Sequence, residues 1–79
     1  MDTLKEVRDY LLAEFSAGKG SIGPDENLLG RILDSMGLLK LVAFLEERYG
    51  FETSEEDIVP ENFGTLEMIR DFVERRKRS

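Results

Sequence analysis

Residues 17–24, Ala17-Gly18-Lys19-Gly20-Ser21-Ile22-Gly23-Pro24, constrain this chain more than any other stretch. Three glycines and a proline within eight residues break whatever helix precedes them, so the chain is divided into a leading helix and a separate remainder. Before the break, from Thr3 to about Ser16, apolar residues fall at Leu4, Val7, Leu11 and Phe15, flanked by Tyr10 and Leu12. That is helical spacing, with Lys5, Glu6, Arg8 and Asp9 facing out and Asp2 or Thr3 available as the cap. After the break no element begins until Asp34. A loop of that length needs an interior anchor, and Ile22, Leu28, Leu29, Ile32 and Leu33 are expected to pin it onto the core.

Three more segments follow, and all read as helical. The second helix runs from Ser35 to Tyr49 and closes on Gly50, a residue suited to a left-handed cap. Thr53 or Ser54 then caps a short third helix, Glu55 to about Val59, where Ser54-Glu55-Glu56-Asp57 approximates a capping box and Pro60 ends the segment. Thr65 caps a fourth helix whose inward face is Leu66, Ile69, Phe72 and Val73. The expected fold is all-α, a small four-helix bundle of three main helices and one short one, forming a single domain over residues 1–79. The 79 residues are 41% hydrophobic and 35% charged, which suits a small globular domain rather than a disordered segment.

The chain has neither cysteine nor histidine. The usual zinc ligand sets and the ordinary nucleophile–histidine triads are therefore missing, and Ser35 has no histidine to activate it. Net charge is −6, from 17 acidic and 11 basic residues. Four of the basic ones form Arg75-Arg76-Lys77-Arg78, which leaves residues 1–74 with seven basic and 17 acidic side chains, or −10. Such an acidic body argues against nucleic acid and anionic membranes as main partners and favours partners that present Lys and Arg. The basic tail reads as cations complementing a helix C-terminus. No segment is long or apolar enough to span a bilayer, and Met1-Asp2-Thr3 does not begin a signal peptide.

The second helix carries the most functional information. Leu38, Leu41, Val42, Leu45 and Tyr49 form its core stripe, while Met36, Leu39, Lys40, Ala43 and Glu47 fall on the other side. An ordinary surface helix would be polar there. Either Met36 and Leu39 tuck beneath the long loop, or they form a small docking patch rimmed by Lys40, Glu46 and Glu47. That face adjoins Leu33-Asp34-Ser35-Met36-Gly37 at the start of the helix. Asp34 or Ser35 is the cap, and the Ser35 hydroxyl should lie exposed beside unpaired backbone N–H groups, where the helix dipole favours a phosphodiester.

Those residues, with the order of helices, resemble the acyl carrier protein family, including peptidyl and aminoacyl carriers. The similarity covers nearly the whole chain. It rests on Leu33-Asp34-Ser35-Met36-Gly37 followed by Leu38-Leu39-Lys40-Leu41-Val42 and Leu45-Glu46-Glu47-Arg48-Tyr49-Gly50, and on the later Asp57-Ile58-Val59-Pro60-Glu61-Asn62-Phe63. The resemblance implies that Ser35 takes 4′-phosphopantetheine from coenzyme A through a Mg²⁺-dependent phosphopantetheinyl transferase. The arm's thiol would then hold an acyl or aminoacyl group as a thioester. It further implies a non-catalytic monomer of the cytoplasm, loaded by an acyl or aminoacyl ligase and serving downstream transferases or synthases. Asp34, Met36, Leu39, Lys40, Ala43, Glu46 and Glu47 would form its docking face.

Carriers of bacterial fatty acid synthesis usually show Asp-Ser-Leu and then acidic residues two and five places after the serine. Here Met36 stands in place of Leu, and those two positions hold Gly37 and Lys40, although Asp25, Glu26, Asp34, Glu46 and Glu47 remain acidic. A dedicated carrier of a specialised pathway is therefore expected rather than the general fatty-acid carrier. The alternatives are a D-alanyl carrier for cell-wall modification, which Leu-Asp-Ser-Met-Gly resembles, and a non-carrier helical module that binds a basic or amphipathic helix.

Overall fold

The computed structural model describes residues 2–15 and 22–77, and within them the chain is helical with no strand. Helix α1 is Thr3–Phe15, α2 is Ser35–Tyr49, α3 is Pro60–Phe63 and α4 is Leu66–Lys77, with a single 3₁₀ turn at Glu55–Asp57 between α2 and α3. Ser16, the Ala17–Ser21 part of the glycine-rich break and Arg78 of the basic tail lie outside the described residues.

Asp2 is the cap of α1. Its carboxylate accepts from Lys5 N–H at 3.3 Å and its carbonyl from Glu6 N–H at 3.0 Å. Thr3 is instead buried and donates its hydroxyl to Glu74 of α4 at 2.7 Å. Val7 and Leu11 of α1 are sealed against the apolar row Leu66, Ile69, Phe72 and Val73 of α4, and Leu41, Val42 and Leu45 of α2 and Phe63 of α3 fill the rest of the helical core. The spacing of these residues, three and four apart on each helix, is what brings them to a common interior.

Of the residues expected on the outward face of α1, Lys5 and Asp9 are exposed, whereas Arg8 and Glu6 are not. Glu6 is half-buried, because Tyr49 at the end of α2 donates to its Oε1 at 2.5 Å and Arg48 to its Oε2 at 2.8 Å. The Tyr49 hydrogen bond, the larger cause, holds the Glu6 carboxyl below its ordinary range. Burial first and the Glu6 partner second push the Tyr49 hydroxyl well above its own.

The long connection from α1 to α2 is pinned as expected. Ile22, Leu28 and Leu33 are buried, and Leu29 and Ile32 are half-buried. Its backbone is tied as well: Leu28 N–H donates to Gly64 C=O at 2.8 Å, and Glu67 N–H at the start of α4 donates to Pro24 C=O at 3.1 Å. Leu28 C=O in turn accepts from Ile32 and Leu33, both at 2.9 Å, in a tight turn that passes through Gly30 at φ 80°. A left-handed residue is required there, and glycine takes it without strain. This turn puts Leu33 into the core and Asp34 at the mouth of α2.

After α2 the sequence reading is corrected in two places. The third helix does not run to Val59. It is a 3₁₀ turn of three residues preceded by Ser54, whose N–H and hydroxyl donate to Asp57 Oδ2 at 3.2 and 3.1 Å. The Ser54 backbone bond is the main cause of an Asp57 carboxyl held below its ordinary range. Pro60 does not merely stop this segment but opens α3, where a proline's missing N–H costs nothing.

The basic tail is also more than a complement to a helix end. Arg76 donates to Glu52 C=O at 2.6 Å and to Asp57 Oδ2 at 3.2 Å, with its guanidinium 5.8 Å from the Phe72 ring centre. Arg75 donates to Asn62 Oδ1 at 3.3 Å, and Lys77 lies 3.3 Å from Glu74. The last turn of α4 thus clasps the segment between α2 and α3.

Candidate functional site

Asp34 is the N-cap of α2 and Ser35 its first helical residue. The Asp34 backbone is extended, and its Oδ1 accepts from Gly37 N–H at 2.7 Å while its carbonyl takes Leu38 N–H at 2.8 Å. Of the donors at this helix end, the Ser35 and Met36 amides are left without an intrahelical acceptor. The end is therefore half capped by an acid rather than wholly open. The Ser35 side chain is exposed, and its hydroxyl makes no hydrogen bond among the described residues.

Gly37, two places after the serine, lies against the end of α1. It is buried, and a Cβ there would stand 3.2 Å from Phe15 Cε1 and 3.2 Å from Asp34 Oδ1. A side chain at this position would press on Phe15 of α1 and on the Asp34 cap.

Met36 and Leu39 do not tuck beneath the loop. They are 66% and 57% exposed, far more than large apolar side chains ordinarily are, and Lys40, Ala43 and Glu47 are exposed beside them. Five of the expected docking residues therefore share one outward face with Ser35. Glu46 does not join them as a free carboxylate, since its Oε2 accepts from Thr53 N–H at 2.7 Å and so ties α2 to the following turn. Asp34 is exposed but committed to capping, and Glu26 is held within the loop by Gly23 N–H at 3.1 Å.

Two shallow clefts flank this face. One, of about 350 Å³, adjoins Ser35 and is lined by Leu29, Gly30, Leu33, Asp34 and Leu38. The other, of about 320 Å³, lies two turns further along α2 and is lined by Tyr10, Lys40, Ala43, Phe44 and Glu47. In the second, the Tyr10 and Phe44 rings stack with centres 4.0 Å apart and planes 10° from parallel, and the Tyr10 hydroxyl donates to Lys40 C=O at 3.3 Å. Sequence reasoning missed this pair. Phe44 falls at the boundary between the core stripe and the outward face of α2, so its spacing alone assigns it to neither, and Tyr10 reads only as a flank of α1.

Among the described residues no group of three or more acidic, His or Cys side chains could hold a metal ion, and no helix is long and apolar enough to cross a membrane. No protein-family model matches the chain, and no curated protein matches it.

Proposed function

We propose that this chain is a carrier protein of a specialised pathway, which bears an acyl or aminoacyl group on a 4′-phosphopantetheine arm attached at Ser35. The observation that carries the reading is the exposed Ser35 hydroxyl on the first turn of α2, set on the same outward face as the exposed Met36 and Leu39. The residues fit the group: a phosphodiester at Ser35 would meet the two free amides of the helix end and its dipole. When bound, the arm supplies a thiol on which a carboxylic acid is held as a thioester. Among the described residues the Ser35 hydroxyl has no hydrogen-bonded base beside it. The chain offers an uncrowded hydroxyl, fixes it by the Asp34 cap, and presents an apolar patch on which a phosphopantetheinyl transferase, a loading ligase and downstream transferases or synthases can seat. The reading implies a cytoplasmic setting, where coenzyme A is available.

Intact-mass measurement after incubation with coenzyme A, Mg²⁺ and a broad-specificity phosphopantetheinyl transferase tests it. Wild type should gain one prosthetic group and Ser35→Ala none. No gain on wild type, or a gain that survives in Ser35→Ala, overturns the proposal. The exposure of Met36 and Leu39 also suits a helical interaction module without a prosthetic group, which would bind its partner equally well whether or not Ser35 can be modified.

A further inference from the structure

The outward face of α2 is organised as two neighbouring rows. Ser35, Leu39, Ala43 and Glu47 recur every four residues and form one ridge; Met36, Lys40 and Phe44 form the next. All are exposed except the half-buried Phe44. Ala43 makes a dip in the first ridge and lines the cleft where Phe44 stacks on Tyr10. From Ser35 to Ala43 the helix rises about 12 Å, within the roughly 16 Å that an extended arm of the proposed chemistry spans by standard bond lengths.

The cleft is flanked by two opposite charges, Lys40 and Glu47, and neither is engaged in an ion pair among the described residues. Seven residues apart, they lie on the same side of the helix about 10 Å from each other, too far to pair directly across the aromatic floor. Of the residues that line the cleft, Glu47 is the carboxylate beside the rings and Lys40 the ammonium. Aromatic faces and unpaired carboxylates together attract a cation, and the Lys40 ammonium is a donor for a carbonyl oxygen. The other cleft differs: it adjoins Ser35 itself, and its one carboxylate, Asp34, is already spent on the Gly37 amide.

Resting on the carrier reading, we propose that the Tyr10–Phe44 cleft is the docking site of the carried group, and that it selects an acyl group bearing an ammonium over a plain hydrocarbon acyl group. The ammonium would face Glu47, the carbonyl Lys40, and the apolar body the stacked rings.

The test loads the full chain from two amide-linked coenzyme A analogues, one carrying phenylalanyl and the other 3-phenylpropionyl, which differ by the ammonium alone. Intact mass verifies loading, and backbone ¹⁵N–¹H shifts are compared with those of the chain bearing the empty arm. Phenylalanyl loading should move the amides of Lys40, Ala43, Phe44 and Glu47, and either the phenylpropionyl cargo or Glu47→Gln should cut those movements by more than half. Shifts confined to the neighbourhood of Ser35 overturn the docking site, and the cleft is then left to a partner's surface. Equal shifts for both cargoes overturn the selection for an ammonium. Failure to load wild type overturns the carrier reading, and this inference with it, and the mass measurement reports that outcome separately.

Discussion

The α-carbon of Gly37 faces the ring of Phe15 so closely that a Cβ on it would lie 3.2 Å from Cε1. The first turn of the helix bearing Ser35 is thereby seated on the last residue of α1. The hydroxyl stands near the corner where the end of α1 meets the start of α2.

Gly37→Asp is expected to destabilise the protein by about 2–3 kcal/mol, because it buries a charge and crowds Phe15. Chemical denaturation of wild type and variant measures the loss. An unchanged midpoint would mean that α1 yields at Phe15.

Asp34 and Ser35 should separate in a stability measurement. Asp34→Ala removes the carboxylate that accepts Gly37 N–H and should cost about 1 kcal/mol, whereas Ser35→Ala removes a side chain with no partner and should stay within about 0.5 kcal/mol of wild type. Thermal unfolding of the two variants distinguishes them, and a collapse in Ser35→Ala would assign the serine a structural role.

Gly64 is the point at which the long loop meets α3 and α4. A Cβ there would lie 2.8 Å from Pro60 C=O, a backbone atom that cannot rotate away, while the Gly64 carbonyl holds Leu28 N–H. Gly64→Ala should cost about 2 kcal/mol despite alanine's higher helix propensity. Denaturant titration gives the value directly.

Stability should fall at both ends of the pH range. Glu6 and Asp57 are depressed below their ordinary values of 4.5 and 3.8, so the unfolded chain binds protons first, and stability is lost as pH drops below about 4.5. Tyr49 is raised above its ordinary 10.0, so its contribution is present below that pH and lost as pH climbs past it. Melting temperature followed against pH should show both declines. Tyr49→Phe should flatten the alkaline one, and Glu6→Gln should weaken the acid one.

Arg76→Gln should loosen the segment between α2 and α3 without unfolding the bundle, because it removes the donors to Glu52 C=O and Asp57. Hydrogen exchange should accelerate at Asp57 and Ile58 N–H while Leu41 and Ile69 stay protected.

Where apolar residues repeat at helical spacing, the sequence is a reliable guide: Leu66, Ile69, Phe72 and Val73 form the buried face of α4, and Ser35 and Gly50 bound α2 as read. The five apolar residues of the long loop also turn inward, because a connection of that length needs an interior anchor. What periodicity does not carry is the choice of polar partners. Glu6 with Tyr49 and Arg76 with Glu52 join residues far apart in the chain and depend on how the helices lie together, and Glu46 with the Thr53 amide depends on how the chain turns after α2. The Tyr10–Phe44 stack is hidden for the same reason. The exposure of Met36 and Leu39 was legible only as one of two alternatives, since nothing in the spacing says where the loop passes.

The two backbone bonds that tie Leu28 to Gly64 at the end of α3 and Pro24 to Glu67 of α4 make residues 24–33 a strut rather than a slack connection. One end of the strut is fixed on Gly64 and Glu67, and the other ends at the residue that caps α2. The place of the α2 cap, and of the serine beside it, is therefore set in part by backbone contacts made far along the chain.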